Sequence, residues 1–134
     1  MNTNQSSRES FKMNPSPKAP KRRAKFINTD YLMEISSGNA DFIAVFLKAF
    51  RDESKRSLRS LQNQLSTGDF LFMERTAHAM KPTGAYIGAN SLSILAAQLE
   101  QAAHNLNKPE AKTLISQIQK MVESILTEIE EYFK

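Results

Sequence analysis

The side chains in this sequence whose types and spacing could support chemistry are two histidines and the cations near one of them. His78 has Lys81 three residues after it and Arg75 three residues before it, so in a helix the three side chains lie close together. A neutral imidazole is a nucleophile near neutral pH and can carry a phosphoryl group as a labile phosphoramidate, while both cations can neutralise an anion at the ring. We interpret His78 as a candidate nucleophile; the alternative is an ordinary surface histidine at the edge of a bundle.

A proline and several small residues follow His78 in the same predicted helix. Pro82 has no N–H, so it cannot bond the carbonyl of His78, and its ring crowds that carbonyl. We therefore expect a bend or a loosened turn at the histidine. Four small residues near the ring leave little side-chain bulk around it, which would allow the loops of another protein to approach its nitrogen. These residues are Ala79, Thr83, Gly84 and Ala85.

Other catalytic machinery is not visible in the sequence. The chain has no cysteine, which excludes disulfides, thiolate zinc sites and cysteine nucleophiles and is compatible with a reducing compartment. It has no glycine-rich phosphate loop, no Gly-x-Ser-x-Gly turn and no paired acids in an apolar setting, and His78 and His104 do not form a helix-spaced pair. We expect a cytoplasmic protein that is not an independent enzyme and holds no metal or cofactor of its own.

The charge of the chain is divided unevenly along its 134 residues. The net charge is +4, but residues 1–25 hold seven Lys/Arg and one acidic residue, leaving eleven Lys/Arg and thirteen acidic residues in the rest. Residues 1–26 are rich in Ser, Asn, Pro and Lys, and we predict a disordered basic tail or linker there. Its cluster Lys21, Arg22, Arg23 and Lys25 can contact nucleic acid or an acidic partner; a solubilising leader or an interdomain linker is the alternative. No stretch is apolar enough to cross a membrane.

Residues 27–134 show helical spacing and no alternation of strand type, which predicts one all-α domain. A short helix begins at Asn28 or Thr29 and ends at Gly38, and four long helices follow, over about 40–65, 70–86, 90–106 and 108–134. Asn39, Asp69 and Asn107 are the predicted helix caps. Short connections predict an antiparallel up-and-down four-helix bundle, and the short first helix caps it.

The spacing of apolar residues also predicts which side chains are buried. For the first long helix we predict Phe42, Val45, Phe46, Phe50, Leu58, Leu61 and Leu65. For the second we predict Met73, Ala77, Met80, Gly84 and Ile87, and for the third Leu92, Leu95, Ala96, Leu99, Ala103 and Leu106. For the last we predict Leu114, Ile118, Met121, Ile125, Ile129 and Phe133. His78 follows Ala77 by about 100° on its helix and should be partly exposed.

The residues around His78 resemble the histidine phosphotransfer (HPt) domains of bacterial phosphorelays. The segment AHAMKPTGAYIGANSLSILAAQLE is similar to the family pattern of His, any residue, Leu or Met, Lys and a small residue, with Gly ten positions after the His and Leu-Glu on the next helix. The segment YLMEISSGNADFIAVFLKAF is similar to the family's first two helices. The resemblance therefore covers the chain from about Ile27.

This resemblance implies roles for individual residues. His78 would be the phosphoacceptor, through its Nε2 atom, and Lys81 would supply the nearby positive charge. Gly88 ends the helix at the family position. Glu100 falls where the family places a polar residue that accepts a hydrogen bond from the imidazole Nδ1–H, and Gln98 is a second candidate for that orienting role.

The sequence departs from the family pattern at two positions. Pro82 stands where glycine is commoner, and we expect a local kink with transfer retained. His104 occupies a position that is often basic; it is either a contact of the phosphoryl group when protonated or a surface histidine.

The resemblance implies a monomeric phosphocarrier whose partners are response-regulator receiver domains and a hybrid sensor histidine kinase, with the divalent metal held by the receiver. It implies no membrane partner, and nucleic acid could be bound through the tail alone.

The alternative is a non-catalytic helical interaction module with a basic nucleic-acid-binding tail. A dimerising histidine kinase domain would need a following ATP-binding domain. The sequence is compatible with a free-standing protein and with the C-terminal module of a hybrid kinase.

Overall fold

The computed structural model describes residues 26–133, and this part of the chain contains five helices and no strand. The prediction of an all-α domain is therefore confirmed for the described residues. Of the predicted tail over residues 1–26, residues 1–25 lie outside the described part, and Phe26 is placed against the bundle. The helices are α1 (Asp30–Ile35), α2 (Ala40–Thr67), α3 (Phe70–Tyr86), α4 (Asn90–His104) and α5 (Lys108–Tyr132).

Three of the four long helices begin at the predicted capping side chains. Asn39 accepts a hydrogen bond from the N–H of Phe42, and Asp69 accepts one from the N–H of Phe72. Asn107 likewise accepts from the N–H of Glu110. Each cap satisfies one of the backbone donors that the first turn of a helix leaves without an intrahelical acceptor. The boundaries of these helices are therefore determined by local chemistry.

The four long helices enclose one hydrophobic core. Each long helix contacts the next in the chain, and α2 also contacts α5, so the four close around a common interior. Burial of this apolar surface is the main favourable contribution to folding. The largest fully buried side chains are Leu32, Ile43, Leu47, Leu61, Met73, Ile87, Leu92, Leu99, Ile115, Ile118, Ile125 and Ile129. None of the described helices is long and apolar enough to cross a membrane.

The predicted buried stripe is correct for α3 and partly wrong for α2. All five residues predicted for α3 are buried. In α2, Phe42 and Val45 are exposed, whereas Ile43 and Leu47 fill the core. The segment FIAVFLKAF is apolar on several sides of the helix, so its spacing alone does not decide which side is buried. Leu106 and Phe133 are also exposed, because both lie just beyond the ends of their helices.

The turn between α3 and α4 depends on Gly88. Its φ of 72° lies in the left-handed region, where a residue without Cβ is favoured. The N–H of Gly88 bonds the carbonyl of Ala85, and the N–H of Ala89 bonds the carbonyl of Gly84, which together form a Schellman motif. A Cβ on Gly88 would lie 2.5 Å from the carbonyl oxygen of Asn28. Gly88 is therefore required both by its conformation and by close packing.

The chain preceding α1 is attached to the bundle by backbone hydrogen bonds. The N–H groups of Phe26 and Ile27 donate to the two carboxylate oxygens of Glu128 on α5, over 2.8 and 3.2 Å. The N–H of Asn28 donates to the carbonyl of Ile87 at 2.7 Å. These bonds place the segment across the end of α3, which explains why no Cβ fits on Gly88.

We expect Gly88→Ala to destabilise the fold more than Gly68→Ala does. Gly68 has a φ of 75°, and no neighbouring atom lies within 4 Å of the position that a Cβ would take. Its replacement by alanine therefore adds only left-handed backbone strain of about 1 kcal/mol. Gly88→Ala adds overpacking against Asn28, of roughly 1–3 kcal/mol. Urea unfolding of both variants measures the difference; equal losses would contradict the packing role of Gly88.

Candidate functional site

The imidazole of His78 projects from the outer surface of α3. The neighbouring residue Ala77 is fully buried, and the step of about 100° to the next position brings His78 out of the core. Its side chain is 66% exposed. The helix continues through Pro82 without interruption, so this residue does not break α3. A large partner can therefore reach the ring from solvent.

Glu100 on α4 holds both His78 and Lys81. Its Oε2 atom lies 2.7 Å from Nδ1 of His78, and its Oε1 atom lies 2.6 Å from the Nζ atom of Lys81. A carboxylate can only accept hydrogen bonds, so this contact favours the proton of a neutral imidazole on Nδ1. The lone pair of the neutral ring is then on Nε2, the nitrogen that Glu100 does not contact.

The charge of the Glu100 carboxylate is stabilised by its two partners. The hydrogen bond from Lys81 is the main cause that lowers the pKa of Glu100, and the hydrogen bond from His78 lowers it further, while partial burial opposes both. Glu100 therefore stays ionised at neutral pH. The Lys81 ammonium, which we expected to face an anion at the imidazole, is bonded instead to the carboxylate that contacts the ring.

Close packing between α3 and α4 positions these three groups. A Cβ on Gly84 would lie 2.8 Å from the Oγ atom of Ser93 and 3.2 Å from the carbonyl oxygen of Ala89, so a larger residue would displace the Ser93 hydroxyl and strain the close approach of α4. The Ser93 hydroxyl donates a 2.7 Å hydrogen bond to the carbonyl of Lys81. On α4, Leu99 is fully buried beside Glu100 and sets the rotation of that helix. Backbone packing thus fixes where the carboxylate meets the histidine.

A second histidine and carboxylate meet one turn away across the same two helices. Nδ1 of His104 lies 3.3 Å from Oε2 of Glu74. Glu74 precedes His78 by four residues and His104 follows Glu100 by four, so both pairs fit the same antiparallel register of α3 and α4. The side chain of His104 is 66% exposed. His104 is thus part of a second pair, and its ring contacts a carboxylate.

Two of the predicted site residues lie elsewhere. The Arg75 guanidinium stacks on the Phe72 ring, 5.2 Å from its centroid, within its own helix. Gln98 precedes Glu100 by about 200° of helical rotation and is exposed on another side of α4. The contact to Nδ1 that we considered for Gln98 is made by Glu100. Glu100, the first candidate for that contact, is the residue that makes it, and Gln98, the second candidate, is turned away from the ring.

Sequence reasoning missed Ser93 and Glu74. Ser93 supports the backbone of Lys81 from the neighbouring helix, and no local pattern around Ser93 indicates this contact. Glu74 could have been found from its spacing. It lies four residues before His78, just as His104 lies four residues after Glu100, and an antiparallel helix pair brings such positions together.

We expect the contribution of Glu100 to stability to depend on pH. Its pKa is lower in the folded state, so its contacts stabilise the protein fully above the pKa of an unfolded glutamate, about 4.3, and are lost as the pH falls through the folded value. The difference in unfolding free energy between wild type and Glu100→Gln should therefore shrink below about pH 4. Urea unfolding at several pH values measures it. A Lys81→Met background should weaken this dependence, and a difference that is constant from pH 6 to pH 3 would contradict the prediction.

We also expect Glu100 to determine the tautomer of neutral His78. In the wild type the Nδ1–H form should predominate, and Glu100→Ala should shift the ring toward the Nε2–H form because the acceptor is lost. Long-range ¹⁵N–¹H correlation spectra distinguish the two forms. Gln98→Ala is the matched control on the same helix. Identical tautomer populations in the wild type and Glu100→Ala would contradict the orienting role.

Comparisons with known proteins give the family of this chain. A search of curated protein sequences found no significant match. The structure is similar to the crystal structure of histidine-containing phosphotransfer protein B (HptB) from Pseudomonas aeruginosa PAO1, with a TM-score of 0.75 and 25% sequence identity, over 82% of this chain and 96% of that one. The family model described as Hpt domain matches residues 45–128, which include the histidine, the lysine and the glutamate of the site. This match covers more than half of the chain, and the protein belongs to the Hpt domain family.

Proposed function

We propose that this protein is a histidine phosphocarrier of a two-component phosphorelay, in which His78 accepts a phosphoryl group from a receiver-domain aspartate and passes it to the aspartate of another receiver. The observation that carries the proposal is the contact of Nδ1 of His78 with Glu100, which leaves Nε2 of an exposed ring as the nucleophile. Membership of the Hpt domain family and the similarity to HptB support a role in histidine phosphotransfer.

The proposed transfer is a displacement at phosphorus. The lone pair on Nε2 of His78 attacks the phosphorus of the acyl phosphate, the P–O bond to the aspartate breaks, and the aspartate carboxylate leaves with its electron pair. The proton on Nδ1 stays in place, so the ring becomes a phosphorylated imidazolium. The negative charge of Glu100, 2.7 Å away, stabilises the positive charge that develops on the ring. Transfer to a second receiver reverses these bond changes.

In this proposal Lys81 compensates the charge of Glu100. An isolated carboxylate beside the ring would repel the incoming phosphoryl dianion. The 2.6 Å contact between Lys81 and Glu100 brings the local charge close to zero while Glu100 keeps its hydrogen bond to Nδ1. The chain then needs no metal of its own, and the divalent metal and acidic pocket for the reaction belong to the receiver. We thus propose a transfer intermediate without independent catalytic activity.

The proposed docking surface for the receiver lies on α2 and α3 beside His78. A groove of about 270 Å³ between these helices has Ala79, the residue after the histidine, and Thr83 on its α3 side. The same two helices also carry an aromatic cluster, in which Tyr86 of α3 stacks on Tyr31 and forms an edge-to-face contact with Phe46 of α2. The residues that line the groove are Phe50, Glu53, Ser54, Ser57, Ala79, Met80, Thr83 and Leu92.

The same proposal includes the finer architecture predicted from the sequence. The four long helices, α2 to α5, form an antiparallel up-and-down bundle, and α1 caps one end of it beside the aromatic cluster. We propose that the protein acts as a monomer whose partners are receiver domains and a hybrid sensor histidine kinase.

We expect phosphoryl transfer from a labelled, phosphorylated receiver panel to label the wild type and His104→Gln, and to fail with His78→Gln. The label should be labile in acid and stable in alkali, as a phosphohistidine is. A known carrier, tested against the same receivers, shows that the donors are active. If those receivers label the known carrier and not the wild-type protein, the proposed function is wrong.

We expect Thr83→Arg to block docking, because it places a long cation in the groove beside His78. Transfer from a receiver should slow by about tenfold or more, a loss typical of disruption at the centre of an interface. The matched control is Thr127→Arg on α5, because both threonine hydroxyls bond the carbonyl four residues earlier. Stopped-flow or quench-flow transfer assays measure both variants. Equal rates for the two would exclude this groove as the docking surface.

A further inference from the structure

The His104 ring shares two features with the His78 ring, exposure to solvent and a carboxylate near Nδ1. It is 66% exposed, the same fraction as His78, and its Nδ1 lies 3.3 Å from the carboxylate of Glu74. A carboxylate at Nδ1 favours the tautomer with the lone pair on Nε2 and stabilises the positive ring that forms when Nε2 reacts. The proposed carrier role of His78 leaves this second pair without an assigned function.

The His104–Glu74 and His78–Glu100 pairs differ in ways that predict different rates of phosphorylation. The contact of His104 with Glu74 is an ion-pair contact of 3.3 Å, whereas that of His78 with Glu100 is a hydrogen bond of 2.7 Å. Lys81 bonds Glu100, while within residues 26–133 no lysine or arginine forms an ion pair with Glu74. The charge of Glu74 stabilises the positive ring, but its repulsion of the phosphoryl anion offsets part of this gain, so His104 should react more slowly than His78.

We propose that His104 is a second phosphoryl-acceptor site, which takes the phosphoryl group of small, anionic phosphoryl donors on its Nε2 atom. With phosphoramidate as the donor, the lone pair of Nε2 attacks phosphorus, the P–N bond breaks, and ammonia leaves with the electron pair of that bond. The Nδ1 proton remains on the ring beside Glu74, and the product is a phosphorylated imidazolium. Glu74 acts through His104 and is a positioning residue.

The test is phosphorylation of His78→Gln variants by phosphoramidate, followed by site mapping with mass spectrometry at neutral pH. The His78→Gln protein should carry one acid-labile phosphoryl group on His104, and the added change His104→Gln should abolish it. The added change Glu74→Gln should slow the labelling of His104 by about threefold or more. The matched control, Glu130→Gln, removes an exposed carboxylate on α5 and should leave the rate unchanged.

Two further readouts separate positioning from loss of structure. Circular dichroism and thermal unfolding should show that Glu74→Gln retains the fold. The ¹⁵N spectrum of His104 should shift toward the Nε2–H tautomer in that variant, which a merely structural role would not cause. Absence of label on His78→Gln, or equal rates for the Glu74→Gln and Glu130→Gln proteins, would overturn the proposal. The assay uses no receiver, so its failure is distinguishable from failure of the proposed carrier role of His78.

Discussion

The site depends on one interaction, the contact of a single carboxylate with both an imidazole and an ammonium group. Glu100 bonds Nδ1 of His78 through one oxygen and Lys81 through the other. The contact with Nδ1 favours the tautomer of His78 whose lone pair is on Nε2. The contact with Lys81 compensates the negative charge of the Glu100 carboxylate. Both effects depend on the ionised carboxylate, so replacement of Glu100 by a neutral residue would weaken both.

The helical packing is arranged so that this carboxylate reaches the histidine. Gly84 brings the backbones of α3 and α4 together, and Ser93 ties α4 to the carbonyl of Lys81. The same two helices are joined by the turn at Gly88, where Asn28 packs against the glycine. Rigid backbone contacts therefore surround the site, while the ring itself remains open to solvent. This combination suits the carrier role that we propose, in which each partner would find the same nitrogen in the same orientation.

Much of this arrangement could be predicted from the sequence, because it follows from local rules. The caps at Asn39, Asp69 and Asn107 fixed three helix starts, and the buried stripe of α3 placed His78 at the surface. The resemblance placed Glu100 ahead of Gln98, but local rules alone could not establish the contact with His78, since it depends on how α4 is rotated against α3.

Other features could not be predicted for the same reason. The apolar residues at the start of α2 satisfy more than one helical stripe, and packing against the other helices decided in favour of Ile43 and Leu47. The bond from Ser93 to Lys81 joins residues on different helices and has no local sequence pattern. Helix boundaries thus follow from neighbouring residues, whereas rotation and contacts between helices require the whole fold.

The measurement that tests the account most directly is the identity of the ring nitrogen that carries the phosphoryl group after transfer from a receiver. Phosphorus–nitrogen couplings in ¹⁵N-labelled protein distinguish the two nitrogens of His78. Because Nδ1 is bonded to Glu100, we expect phosphorylation on Nε2. A phosphoryl group on Nδ1 of His78 would contradict the role assigned to Glu100, and a label confined to another residue would contradict the carrier function itself.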